Sequence, residues 1–295
     1  MFKKSLAIIL SLVLVILMFG CTPTQEPENT GDSLKIISLS AAFTQIVFDL
    51  GLYENLVGVD DYSKDLPEID DNINSFDMMA LNVEQIMTLS PDIIFISELS
   101  TLSGQTDPLK PVADAGIEVV YLETAQTISE IYDTIEKIAE KTGRVEKGEE
   151  LIRNTKTALA QIAQITLQVT EKKSVYFEIS PAPDMYSFGK NVYIDEMLEI
   201  AGLVNIFATK NSWFSVAGEE IILSQPDVII TNSDFMPNAV DEILARPGWQ
   251  TVPAVANKQV YLIANSITSL PNHNIVKGVM EIAKAIYPQL FENEQ

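Results

Sequence analysis

Short segments rich in Ile and Val alternate with longer stretches of helical period, and the alternation runs through the chain twice. In the first half, Lys35–Leu39 reads as a strand, Ala42–Leu50 as a helix and Leu56–Val59 as a second strand. A helix near Val83–Leu89, a strand over Ile93–Ile96, a helix near Pro111–Ala115 and a strand over Val119–Leu122 follow. Strands separated by helices pair in parallel and are covered on both faces, so this half predicts an α/β lobe. Residues 174–290 start again with the same alternation. Leu81 to Ile94 matches Val216 to Ile229 at a constant offset, which aligns Glu84 with Glu219, Pro91 with Pro226 and Asp92 with Asp227. Each half then closes on a similar strand, Val119–Leu122 and Gln259–Leu262. Two related lobes are expected.

Between them lies the longest helical stretch. Thr127 and Glu130 have the spacing of a capping box that opens one helix, and Gly143 can end it. From Glu146 to about Thr170 there is no proline, and Leu151, Ile152, Leu159, Ile162, Ile165 and Val169 recur at helical spacings. About 25 helical residues span roughly 37 Å, too long for a local crossover. The predicted architecture is therefore α/β, with two Rossmann-like lobes of parallel sheet joined by a single long α-helix. The boundaries are an N-terminal lobe over 34–142, the connecting helix over 143–172 and a C-terminal lobe over 173–295.

Residues 1–20 read as a secretory signal. Lys3 and Lys4 precede an apolar run from Leu6 to Phe19, shorter than the roughly 20 residues of a spanning helix. The run ends at Gly20 and Cys21, the only cysteine, in a sequence that resembles a bacterial lipobox. Cys21 is the expected lipidation site, and polar residues 21–33 the tether to the outer face of the membrane.

Forty-one acidic residues stand against 19 basic ones, a net charge of −22. Such a surface excludes nucleic acid, whose phosphates need basic patches. It also excludes lying flat on anionic lipid, so membrane contact is expected through the lipid alone. The chain carries no phosphate loop, no dinucleotide-binding glycine pattern and no nucleophile elbow. A single histidine, His273, rules out a histidine-rich metal cage. No enzymatic activity, cofactor or resident metal is expected.

Assembled, residues 34–290 resemble the substrate-binding proteins of vitamin B12 and iron-siderophore ABC importers. The resemblance is carried by Ile36 to Ile46, by Leu56 to Tyr62, by both elements running from Glu to Pro-Asp, by Met197 to Phe207 and by Arg246 to Val255. It implies a monomer that binds a small molecule between its lobes and passes it to a permease dimer. It further implies that Glu84 and Glu219 dock into arginine pockets on the two permease subunits.

Ligands of paired α/β lobes sit at strand carboxyl ends. The matching loops are Ser38–Phe43, the stretch around Tyr62, Glu98–Ser103, Ser180–Lys190, Asn211–Phe214 and Ser266–Asn274. They supply Tyr62, Tyr186, Phe188, Trp213 and Phe214, whose rings suit a large amphipathic ligand, and His273 as a further candidate. Tyr62 and Trp213 match aromatic positions of B12 binders, whereas Met78 and Ser97 stand where such binders carry tryptophan. None of the three arginines falls in a cleft loop, although Lys190 does. A ligand of low net charge is expected: a corrinoid first, a hydroxamate siderophore second, heme third. A lipid-anchored surface interaction protein reusing the fold is the alternative of another class.

Overall fold

The computed structural model describes residues 34–70, 72–98 and 107–292. The predicted signal segment, Cys21 and the tether lie outside them. In chain order the first lobe holds β1 (Ile36–Leu39), α1 (Ala41–Asp49), β2 (Leu56–Asp60), β3 (Ser75–Phe76), α2 (Val83–Leu89), β4 (Ile93–Ser97), α3 (Lys110–Asp114) and β5 (Glu118–Leu122). Next come α4 (Ile128–Lys141) and α5 (Val145–Thr166). The second lobe holds β6 (Ser174–Glu178), β7 (Tyr186–Phe188), α6 (Tyr193–Ile200), β8 (Val204–Asn205), β9 (Trp213–Ser215), α7 (Gly218–Ser224), β10 (Val228–Thr231), α8 (Ala239–Ala245), α9 (Pro253–Ala256), β11 (Val260–Leu262) and α10 (Ile275–Ile286). No described helix is long and apolar enough to cross a membrane.

The first sheet runs β3-β2-β1-β4-β5 and the second β11-β10-β6-β8, with every pairing in both parallel. Each sheet therefore changes direction beside its opening strand, between β1 and β4 and between β6 and β10. The carboxyl ends there diverge into a crevice. The repeated Pro-Asp has a physical cause. The helices before it, α2 and α7, end in left-handed residues, Ser90 at φ 49° and Gln225 at φ 47°. The aspartate then turns back onto the central strand. Asp92 Oδ2 accepts from the Lys35 N–H at 2.8 Å, and Asp227 Oδ2 from the Ser174 N–H at 2.9 Å.

Strand alternation sorts side chains between three cores. Ile36 and Phe95 face inward in the first lobe, and Val175 and Phe177 in the second. With Leu159 and Ile162 of α5 they form one continuous apolar core. The intervening residues, Ile37 and Ile94 on one side and Tyr176 and Ile229 on the other, fill separate outer cores. A core shared by both lobes and the connecting helix couples them by burial as well as by covalent connection.

The predicted capping box is present. Thr127 Oγ1 accepts from the Glu130 N–H at 3.2 Å, and Glu130 Oε2 accepts from the Thr127 N–H at 3.1 Å. Gly143, at φ +69°, ends α4 in a Schellman turn, with Arg144 N–H bonded to Ala139 O and Gly143 N–H to Glu140 O. The connecting helix stops at Thr166, short of the expected Thr170. There the Thr166 hydroxyl donates to Ile200 O at 2.7 Å, which ties the helix end to the second lobe.

Candidate functional site

The crevice is lined from both lobes. One cavity of about 360 Å³ is bounded by Ala41, Tyr62, Asp65 and Leu66 of the first lobe and by Asp234, Asn265, Ser266 and Leu270 of the second. Another of about 450 Å³ lies between Thr124, Ala125 and Gln126 on one side and Ile179, Tyr193, Trp213, Ser269 and Pro271 on the other. Most of these residues follow the carboxyl ends of β1, β2, β5, β6, β10 and β11, where the switch of strand order opens the sheets.

Tyr62 is held by the loop beneath it. Thr44 Oγ1 donates to Ser38 Oγ at 2.8 Å and lies 2.9 Å from Ser63 Oγ, and the Ser63 hydroxyl donates to Asp60. All four side chains are buried, so the turn after β2 is fixed to β1 and α1 while the Tyr62 ring is left 73% exposed. Burial pushes the Asp60 carboxyl above its ordinary range, although the Ser63 bond works against it.

Trp213 belongs to an antiparallel ribbon, β7 against β9, that the sequence did not announce. Phe188 pairs with Trp213 and Ser187 with Phe214, so Trp213 and Phe214 point to opposite faces. Gly189 is required at the end of the ribbon, because a Cβ there would meet Lys210 O at 2.2 Å. On the cleft face the Trp213 ring stands edge-on to Phe188 and Tyr193, at centroid distances of 5.7 and 6.5 Å. Its Nε1–H crosses to the other lobe and donates to Gln126 Oε1 at 3.0 Å.

Three of the expected contact residues are corrected. Phe188 is fully buried and supports Trp213 from behind, so it has no surface to offer a ligand. Phe214 turns to the outer core, packed on Phe207 at 5.2 Å. His273 is buried, and its Nε2 meets Asp49 Oδ2 of the other lobe at 2.7 Å. Burial would raise the Asp49 carboxyl, but its bonds from His273 and Gln45 leave it below the usual carboxylate range. Tyr186 is half-exposed on the ribbon and lines neither cavity. Sequence reasoning missed Gln126, Asp65 and Asp234. Gln126 immediately precedes the capping box and Asp65 closes the Tyr62 turn, so position alone could have flagged both.

The lobes are joined a third time at the start of α4. The Ile128 N–H donates to Glu196 Oε2 of the second lobe at 3.2 Å, which places a carboxylate at a helix N-terminus. Burial still holds the Glu196 carboxyl above its ordinary range.

Outside the crevice, Glu84 and Glu219 are both exposed, and each is the second residue of a seven-residue helix. Neither makes an ion pair among the described residues, whereas the adjacent Glu220 is held by Lys210. The structure thus separates Glu219 from its neighbour as the free carboxylate.

Comparison with known proteins agrees with this architecture. The family model of the periplasmic binding proteins matches residues 36–266. An uncharacterized ABC transporter substrate-binding lipoprotein of Bacillus subtilis is 34% identical over 263 residues, 88% of this chain and 81% of that one. A vitamin B12-binding protein of Vibrio parahaemolyticus is 24% identical over 92% of this chain and 94% of its own. A crystal structure of a possible iron-binding (periplasmic solute-binding) protein from Staphylococcus epidermidis superposes with a TM-score of 0.76 at 31% identity, covering 86% of this chain and 98% of that one. The chain belongs to the periplasmic binding protein family, the substrate-binding components of ABC transporters, which bind solutes and are not enzymes.

Proposed function

We propose that the chain captures a corrinoid of the vitamin B12 type between its lobes and delivers it to an ABC permease, docking through Glu84 and Glu219 while a lipid on Cys21 holds it at the membrane. The observation that carries the ligand assignment is the Trp213 indole. It lies in the wall of an interlobe cavity, backed by Phe188 and Tyr193, and offers a flat apolar surface with one polar edge. Tyr62 gives the neighbouring cavity a second ring. The B12-binding relative supports a corrinoid, and the similarity to the possible iron-binding protein of Staphylococcus epidermidis supports an iron complex, a ferric hydroxamate or heme, as the second reading.

The test is a fluorescence titration of the full chain in detergent with cyanocobalamin, and in parallel with a ferric hydroxamate and with heme. Saturation by the corrinoid at micromolar or lower concentration is expected, weakened about tenfold in Trp213→Ala, the scale of one lost aromatic contact. Saturation by an iron complex alone moves the assignment to the siderophore or heme branch. Silence from all three removes the ligand assignment and favours a surface interaction protein.

A further inference from the structure

The charges on the crevice walls constrain the ligand further than its flat surfaces do. Asp65 enters the smaller cavity from the first lobe and Asp234 from the second, and among the described residues no lysine or arginine lines either cavity. Asp234 Oδ2 already accepts from the Asn265 N–H at 2.8 Å, so its other oxygen is the one left to face a ligand. Directly behind it lies a buried polar network. Asn232 and Ser233, directly before Asp234, are fully buried. The amide of Asn232 donates to Ser269 Oγ, as does that of Asn265. Ser269 lines the larger cavity and Asn265 the smaller, so this network ties the two walls together.

We infer that this crevice selects its ligand by charge: Asp65 and Asp234 form a two-sided carboxylate clamp for a cationic group on the ligand, with the Tyr62 ring beside it. The inference rests on reading the crevice as the ligand site. Among the described residues no group of three or more metal-ligating side chains forms, and the crevice is large and ringed by aromatic surface, so the fitting class is a large complex bearing a positive group. The exposed Tyr62 face adds attraction for such a group through its quadrupole. An anionic complex would meet two like charges and no compensating guanidinium.

Matched pairs of probes that differ by one charge test this on the full chain. Ferrioxamine B carries a terminal ammonium that N-acetylation removes, and aquacobalamin carries a positive charge that cyanocobalamin lacks. For whichever scaffold binds, the cationic member is expected to bind about tenfold more tightly at low salt, roughly threefold per carboxylate. Raising the ionic strength should shrink that preference. The double variant Asp65→Asn, Asp234→Asn should abolish it and leave the neutral member's affinity within about twofold, with an unchanged melting temperature as the check on folding. Equal affinity for both members of a binding pair, or a preference that survives the double variant, overturns the clamp and leaves the ligand-capture reading intact. Failure of all four probes overturns both.

Discussion

Replacing Arg246 with alanine is expected to destabilise the chain by about 3–5 kcal/mol, the range found when one partner of a buried ion pair is removed. The guanidinium meets Glu178 through two bonds, Nη1 to Oε2 at 2.7 Å and Nη2 to Oε1 at 3.2 Å, and it also holds Glu242 on the helix that ends just before it. Its flat face lies 4.4 Å from the Trp249 ring centre. Glu178 is 1% exposed at the end of β6, so without Arg246 its charge is left in the second lobe with only the Tyr176 hydroxyl as donor. At roughly 2–4 °C per kcal/mol for a chain of this size, the melting temperature should fall by about 6–20 °C. Burial already holds the Glu178 carboxyl above its ordinary range, despite the bonds from Arg246. A carboxyl whose folded pKa lies above its unfolded one loses stability as pH rises between the two. Losing Arg246 raises the folded value further, so the penalty should be largest near neutrality and shrink as the pH is lowered toward 5. The double variant Arg246→Met, Glu178→Gln removes both charges and should recover most of the loss. A single variant as stable as the parent, or one whose penalty grows on acidification, would show that the pair does not have this role.

The second large effect concerns delivery. Glu84→Ala and Glu219→Ala should each cut transporter-dependent uptake by roughly 30-fold, about 2 kcal/mol, the low end for truncating one side of a hydrogen-bonded charge pair at an interface. Ligand affinity should stay unchanged, because both carboxylates lie on helices that line neither cavity. The double variant should reduce uptake by about three orders of magnitude if the two contacts act independently. Glu220→Ala is the internal control: Lys210 already holds that carboxylate, so its loss should change uptake little. Wild-type uptake in the double variant would sink the docking assignment, and a parallel loss of ligand affinity would mean that the helices act on the crevice instead.

The lobes were legible because their strands are buried on both faces and therefore read as nearly continuous apolar runs, as in Ile36–Leu39 and Ile93–Ser97. The repeated Pro-Asp was legible as a pattern, but its cause was not. A carboxylate reaching the N–H of a residue more than fifty positions away leaves no local signal. The β7–β9 ribbon was missed for a different reason. Its strands are three residues each and separated by α6, so neither shows enough alternation to be read alone. Once the pairing is known, the faces of Tyr186–Phe188 and Trp213–Ser215 follow from period two, and with them the turn of Phe214 away from the crevice. The burial of Phe188, on the face of Trp213, comes from the rings packed over it. His273 and Asp49 are 224 positions apart, and only the docking of one lobe on the other brings them together.

Ligand capture between the lobes is tested most directly by hydrogen–deuterium exchange of the full chain with and without the corrinoid. Protection is expected in residues 123–127 and 264–271 together, one wall from each lobe, with α2 and α7 unchanged. Protection confined to one lobe, or to the outer helices that carry Glu84 and Glu219, would contradict a ligand held in the crevice.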